Sequence, residues 1–152
     1  MKSCLQMSVP EAPQLTTGSG CFAHAGWLLI IDDDRMTGRA LSRWVSHVTG
    51  HQVRVARTLH QAECWLQVME LPLAVITDFE LAGETGLEGL MRIRKLGFRC
   101  PAAIVTGAPA RAAEALEAAR MTGSFPIFSK GDAHEELADW FQGLRFGWAA
   151  SA

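Results

Sequence analysis

The ten residues from Gly26 to Arg35, GWLLIIDDDR, join a run of apolar side chains to three adjacent carboxylates. The apolar run Trp27–Ile31 is short and continuous, as expected of a strand that is buried on both faces. Like charges on neighbouring residues repel, and a charge beside a buried run loses hydration unless something compensates it. The stretch therefore predicts a buried strand with an unusual concentration of negative charge at its carboxyl end.

Similar apolar segments return along the chain and alternate with helical patterns. Buried strands are predicted over Leu73–Thr77 and over two segments that end at Thr106 and Lys130, and a half-exposed strand over Gln52–Ala56. The intervening helices are predicted from Met36 to Val48, Thr58 to Met69, Leu87 to Leu96, Ala110 to Met121 and Ala133 to about Phe146. Asp34 and Thr58 are the predicted N-caps of the first two, and the spacing places Met36 on the apolar face of the first. The residues FELAGETG after Asp78 are predicted to form a loop. Five β–α repeats predict an α/β fold, a doubly wound five-stranded parallel sheet with helices on both faces.

Length and composition suit one globular domain. The 152 residues are 49% apolar and 20% charged, and we expect a flexible tail over residues 1–22, a domain over 23–148 and a C-terminal tail over 149–152. The net charge of −2 argues against a general nucleic-acid or membrane-surface binder, and no apolar run approaches the roughly 20 residues that span a bilayer. The four cysteines have no C-x-x-C spacing, so we expect reduced thiols and a cytoplasmic location.

Polar residues follow the predicted strands at their carboxyl ends. Asp32 and Asp33 follow the first strand, Asp78 the third, and Thr106 and Lys130 end the fourth and fifth. Because the carboxyl ends of parallel strands share one edge, these side chains are expected to converge there. Carboxylate oxygens suit Mg²⁺, and a lysine and a threonine beside it can bind an oxyanion. The set predicts a phosphoryl-transfer site in which a carboxylate serves as nucleophile.

The motifs LLIIDDD, AVITD, the glycine at position 86, AIVTG and FSK occur in that order. Together they resemble response-regulator receiver domains, the CheY-like family with a flavodoxin-like (βα)5 fold, over roughly Gly26 to Phe146. The resemblance implies that Asp78 accepts the phosphoryl group, Lys130 pairs with the phosphoryl oxygens and the Thr106 hydroxyl moves to hydrogen-bond them. It also implies that Asp33 and Asp78 bind Mg²⁺ directly.

Two further metal contacts are implied by the resemblance. Asp32 would hold the ion through water, and the backbone carbonyl of Glu80 would be the third protein ligand. The first helix would offer a docking face, with Met36, Arg39 and Arg43 beside Arg35 as candidate partner-binding residues. The alternative interpretation of these arginines is a solvated basic face.

The resemblance implies a response regulator of a two-component phosphorelay. A sensor histidine kinase or a phosphotransfer protein would donate the phosphoryl group, and a downstream protein target would receive the signal. A homodimer is possible, while neither nucleic acid nor a membrane is expected as a partner. No enzymatic activity is expected beyond the domain's own phosphotransfer and dephosphorylation.

Two other functions stay open at this point. One is a binding module that keeps the fold but is not phosphorylated in the cell. The other is a Mg²⁺ phosphatase acting on small molecules, with Glu80 as the nearest candidate for a general acid.

Three features depart from the family pattern. Gly131 stands where proline usually follows the lysine, which puts the family's cis peptide in doubt. Ile127 replaces the Tyr or Phe that often serves as a rotamer switch, and no output domain follows in the sequence, so we expect a single-domain receiver.

Overall fold

The computed structural model describes residues 26–132 and 134–149, and side chains as far as Leu144. The strands are β1 (Trp27–Ile31), β2 (Gln52–Ala56), β3 (Ala74–Thr77), β4 (Glu80–Leu81), β5 (Glu84–Thr85), β6 (Ala102–Thr106) and β7 (Ile127–Ser129). The helices are α1 (Arg35–Thr49), α2 (Leu59–Val68), α3 (Gly86–Lys95), α4 (Pro109–Ala118) and α5 (His134–Ala149). The predicted tail over residues 1–22 lies outside these described parts.

Five strands form one parallel sheet in the order β2-β1-β3-β6-β7. Alternate residues of β1 serve two separate cores: Leu29 and Ile31 face one, and Leu28 and Ile30 face the other. The first core also contains buried residues of α2, α3 and α4, whereas the second contains Val45 of α1 and residues of α5. Helices therefore cover both faces, and the predicted doubly wound fold is confirmed.

Strand register brings the polar strand ends together. Ile31 pairs with Thr77, so the residues that follow them, Asp32 and Asp78, leave the sheet side by side. Thr106 pairs with Ser129, so Lys130 leaves next to the end of β6. The carboxyl edge of the sheet consequently gathers residues that lie up to 98 positions apart in the sequence.

Local capping follows the predictions at two helices. The Asp34 side chain accepts a hydrogen bond from the Thr37 amide at 2.8 Å, and the Thr58 hydroxyl accepts one from the Gln61 amide at 3.0 Å. Gly50 ends α1 with a φ of 70°, a left-handed conformation that favours glycine. None of the described helices has the length and apolar character needed to cross a membrane.

Three expectations need correction. The loop predicted after Asp78 contains a small antiparallel hairpin of β4 and β5 with Gly83 at its turn, where φ is 85°. Met36, placed on the apolar face of the first helix by its spacing, is 83% exposed because it lies in the first turn of α1, at the edge of the sheet. Reduced thiols were expected, but Cys64 is disulfide-bonded, whereas Cys100 is a free, buried thiol.

Candidate functional site

Three carboxylates meet at the carboxyl edge of the sheet. Asp32, Asp33 and Asp78 each place an oxygen within 4.8 Å of the others. Asp32 and Asp33 follow β1, and Asp78 follows β3, its immediate neighbour in the sheet. The structure thus brings together the three side chains that the sequence assigned to one acidic cluster.

Lys130 links two of these carboxylates. Its Nζ lies 2.7 Å from Oδ2 of Asp78 and 3.2 Å from Oδ2 of Asp32. The backbone positions the side chain, because the Lys130 amide donates to the Thr106 carbonyl at 2.9 Å and so continues the pairing of β7 with β6. One ammonium therefore stands among three carboxylates, and the four side chains carry a net charge of about −2 when all are ionised.

Asp32 lies deepest in the cluster and is 1% exposed. Burial raises the pKa of its carboxyl, and the Asp34 amide, which donates to Oδ1 at 2.9 Å, together with Lys130 offsets part of that rise. Burial alone would lower the pKa of Lys130, but its hydrogen bonds and charge interactions with Asp78 and Asp32 outweigh burial and raise the pKa. The Asp32 carboxylate and the Lys130 ammonium thus stabilise each other's charged forms.

The β4–β5 hairpin contacts the acidic side chains through its backbone amides. The Ala82 amide donates to Oδ2 of Asp33 at 3.1 Å, and the Glu80 amide donates to Oδ1 of Asp78 over a longer distance of 3.4 Å. The Glu80 side chain forms an ion pair with Arg111 of α4. Sequence reasoning named Glu80 for its carbonyl, and it missed both Ala82 and Arg111, which only the tertiary structure places here.

Thr106 ends β6 and is 1% exposed. Its hydroxyl accepts a hydrogen bond from the Ala108 amide at 3.1 Å, just before α4 begins. No side chain caps that helix, since its N-cap residue is Ala108 itself. The Thr106 hydroxyl therefore holds the entry to α4, and its hydrogen-bond partner is a backbone amide.

Gly86 is required by close approach rather than by a special φ. A Cβ atom at this position would lie 2.0 Å from the Asp78 carbonyl oxygen and 2.8 Å from Oγ1 of Thr77. The Gly86 amide also donates to the Phe79 carbonyl at 2.7 Å. The glycine lets α3 begin directly against the backbone of Asp78, where any side chain would displace that residue.

The loop after Lys130 has a trans peptide before Gly131, and the described residues contain no cis peptide bond. Gly131 has a φ of 109°, and a Cβ there would meet nothing within 4 Å. Ile127 is partly buried against the core that contains α4 residues.

The predicted docking residues lie on α1, beside the acids. Met36, Arg39 and Arg43 are exposed and line a groove of about 350 Å³ together with Arg35 and Ala40. The structure places them on one helix but shows no partner for them.

The acidic cluster is compatible with a divalent cation. Its donors are carboxylate oxygens, which Mg²⁺ prefers. With Lys130 included, the ionised side chains carry a net charge of about −2, equal and opposite to that of the ion. Asp33 and Asp78 are only partly buried, so an ion can reach them without unfolding the hairpin. The chemistry of this donor set fits Mg²⁺ better than a soft metal, which favours thiolate ligands.

A family model for the response regulator receiver domain matches residues 28–141. The chain belongs to this family. Among solved structures, the N-terminal domain of an uncharacterized protein from Wolinella succinogenes has 23% identity and a TM-score of 0.69, over 84% of this chain and 100% of that one. A receiver domain protein from Clostridium thermocellum has 18% identity and a TM-score of 0.67, over 84% and 99% of the two chains.

A third structure, the receiver domain of the Erythrobacter litoralis PhyR response regulator, has 23% identity and a TM-score of 0.63, over 80% of this chain and 91% of that one. At these identities the likeness shows the fold of the receiver and not its partners. A comparison with curated protein sequences found no match.

Proposed function

We propose that this receiver takes a phosphoryl group on Asp78 from a phosphohistidine of a sensor histidine kinase or phosphotransfer protein, and signals through protein contacts. The observation that carries the proposal is the position of Lys130. Its ammonium lies 2.7 Å from Asp78 and 3.2 Å from Asp32, in a cluster whose third acid is Asp33. An acceptor carboxylate, a cation for the transferred group and an oxygen-rich metal site thus occupy one edge of the sheet.

The chemistry assigns a separate task to each side chain. A carboxylate oxygen of Asp78 attacks the phosphorus atom, the new O–P bond forms as the P–N bond to the donor imidazole breaks, and the donor keeps that electron pair. Lys130 exchanges its contact with Asp78 for one with a phosphoryl oxygen. Asp33 and Asp78, with the Glu80 carbonyl and Asp32 through water, would hold Mg²⁺, which neutralises charge that develops on the phosphoryl oxygens.

The signal is proposed to leave the site through two loops. After transfer, the Thr106 hydroxyl turns from the Ala108 amide to the phosphoryl group, which frees the entry to α4. Lys130 moves the loop that contains Gly131, whose φ of 109° suits glycine. Ile127 is stiff at χ1 and has no hydroxyl, so we expect these loops to move with little rotamer change at Ile127.

Intact-mass measurement after treatment with acetyl phosphate and Mg²⁺ tests the acceptor. The wild-type chain should gain one phosphoryl group, and Asp78→Asn should gain none, because the amide keeps the shape but lacks the anionic nucleophile. Lys95→Glu, an exposed change on α3, is the matched control and should behave as wild type. Uptake by Asp78→Asn at the wild-type rate would refute the assignment.

Addition of small phosphate esters separates the receiver from a phosphatase, which would turn the esters over at a steady rate. A chain that gains no mass with acetyl phosphate would instead support a binding module that is not phosphorylated in the cell. The Glu80 side chain, the candidate general acid of such a phosphatase, is paired with Arg111 of α4. That contact supports the receiver function over the phosphatase.

A further inference from the structure

Cys64 is buried on the outer face of α2, away from the sheet. It is 3% exposed, but among the described residues it belongs to neither of the two cores. The core face of α2 includes Ala62 and Leu66, and a residue two positions from each lies about 160° around the helix from both. The Cys64 side chain therefore points away from the core that α2 covers.

The neighbours of Cys64 on this outer face are not buried with it. His60 and Val68 lie one turn before and one turn after Cys64, and both are exposed, Val68 by 62%. A small side chain between exposed neighbours is shielded when another segment of chain lies against it. The disulfide bond of Cys64 indicates which segment that is.

The sequence restricts the disulfide partner of Cys64 to two residues. The other cysteines are Cys4, Cys21 and Cys100, and Cys100 is a free thiol in the first core. The second sulfur therefore belongs to Cys4 or Cys21. Both precede β1 in the sequence, within residues 1–25.

The start of β1 lies close to the end of α2. The Trp27 indole Nε1 donates a hydrogen bond to the Glu70 carbonyl at 2.8 Å, and the Leu73 amide donates to the Trp27 carbonyl at 2.8 Å. Glu70 follows Val68, the last residue of α2, by two positions. The chain before β1 therefore enters the fold beside the end of this helix.

Chain length favours Cys21 over Cys4 as the partner. Cys64 lies about 6 Å along the helix axis from Val68. Cys21 precedes Gly26 by five positions, a length that spans at most about 17 Å and so is sufficient to reach Cys64. Cys4 precedes Gly26 by 22 positions, and the longer connection lowers its effective concentration at Cys64 roughly 10-fold.

We infer that Cys21 and Cys64 form a redox site, a disulfide that fastens the segment before β1 to the outer face of α2 and opens when a dithiol reduces it. The inference goes beyond the phosphotransfer proposed above and does not rest on it. It assigns the two cysteines a regulatory task, the release of residues 1–25 from α2.

Reduction of this bond balances with a dithiol as the only other reactant. Because Cys64 is buried, a thiolate of the dithiol attacks Sγ of Cys21, the S–S bond breaks, and Cys64 leaves as a thiolate with the electron pair. Nε2 of His60 lies 3.7 Å from Sγ of Cys64 and can supply a proton to it. The second thiol of the dithiol then attacks the mixed disulfide, releases the Cys21 thiol and leaves the reductant as a disulfide. A low-molecular-weight disulfide drives the reverse exchange.

Peptide mapping of the full chain tests the pairing. After incubation with oxidised glutathione, free thiols are alkylated in denaturant and the chain is cut at glutamate, because Glu11 separates Cys4 from Cys21. Mass spectrometry should find a linked pair that contains Cys21 and Cys64, with Cys4 and Cys100 alkylated. After dithiothreitol, all four cysteines should be alkylated.

Thermal unfolding with and without dithiothreitol measures the effect of the bond on the fold. The bond joins residues 43 positions apart, so its reduction should lower the Tm of wild type by about 5–10 °C. Cys21→Ser should show the lower Tm under both conditions. Cys4→Ser is the matched control and should keep the full wild-type difference. These variants leave Cys64 in place, so the packing around a buried side chain is unchanged.

Four results would overturn the inference. They are a link from Cys64 to Cys4, a link between Cys4 and Cys21, a disulfide between two chains, and a Cys64 that stays reduced in oxidised glutathione. A wild-type Tm that does not respond to dithiothreitol would also contradict it, and so would a Cys21→Ser variant that still responds.

Discussion

Two clusters in this receiver each place one cation between two carboxylates. In the first, Lys130 contacts Asp32 and Asp78, whose side chains are 2% and 12% exposed. In the second, Arg92 of α3 bonds Glu63 of α2 and Glu84 of β5. The side chain of Arg92 is 45% exposed, against 24% for Lys130. The cation is therefore more buried in the first cluster than in the second.

The comparison shows why one cluster is suited to chemistry and the other to support. Water screens the charges of the Arg92 cluster, so its ion pairs add little to the free energy of unfolding. The same contacts connect the hairpin to helices α2 and α3. The Lys130 cluster is shielded from water and carries an additional acid, Asp33, so its negative charge exceeds its positive charge. The proposed binding of Mg²⁺ and of a phosphoryl group would benefit from that excess of negative charge.

Loss of the central cation should give the largest difference between the two clusters. Lys130→Met leaves Asp32 buried without its partner, and we expect a loss of about 2–3 kcal/mol in unfolding free energy without metal. Arg92→Met should lose at most about 1 kcal/mol, because its carboxylates regain water. Urea unfolding in EDTA measures both, and equal losses would break the comparison.

Neutralising one acid should stabilise the metal-free fold in the Lys130 cluster but not in the Arg92 cluster. Asp33→Asn relieves repulsion from Asp32 and Asp78, so it should stabilise the metal-free fold by about 1 kcal/mol while weakening Mg²⁺ binding. Glu84→Gln removes an attraction to Arg92 and should not stabilise. Urea unfolding and Mg²⁺ titration by calorimetry measure the two effects, and unchanged Mg²⁺ affinity in Asp33→Asn would contradict the ligand assignment.

Because Asp32 is buried, the free energy of unfolding should depend on pH. Burial raises the pKa of Asp32 above its ordinary value of 3.8. Between the unfolded and the folded pKa the folded state holds the extra proton, so stability falls as pH rises through that window. The unfolding free energy should be measured in EDTA for wild type and for Asp32→Asn. The wild-type value minus the variant value should decrease as pH rises from below 3.8, and should become constant above the folded pKa. A difference that increases with pH would refute the direction.

The smallest effect is expected where charge is kept and only shape changes. Arg92→Lys retains the cation but loses the planar fork that reaches Glu63 through Nε and Glu84 through Nη1. We expect a loss of about 0.5 kcal/mol, because both contacts are exposed to solvent. Thermal unfolding alongside Arg92→Met measures it, and a loss as large as that of Arg92→Met would show that the fork itself holds the hairpin.

Local patterns predicted those parts of the molecule that depend on a few neighbouring residues. The apolar run before Asp32 predicted a buried strand, and Asp34 and Thr58 predicted N-caps that the structure confirms. Convergence at one edge also followed, because parallel strands end together. The roles of Asp78, Thr106 and Lys130 in phosphotransfer remain predictions.

Three features without a local sequence pattern of their own were not predicted. The β4–β5 hairpin has strands of two residues, too short to show any periodicity. The pairing of Glu80 with Arg111 joins residues 31 positions apart, and nothing in either neighbourhood indicates it. Met36 has the spacing of a core residue, but a side chain in the first turn of a helix leans beyond the helix start and finds no sheet to cover it.

The contact between Lys130 and Asp32 spans 98 positions of the chain, which bears on when this cluster of charges is completed during synthesis. β1 and β3 leave the ribosome before the lysine does, so a growing chain presents three carboxylates with no cation among them. Contacts between residues so far apart form late, because a long loop must close first. β7 must join the edge of the sheet before the acids are balanced. The three carboxylates of an incomplete nascent chain therefore have no cation beside them until the last strand is in place.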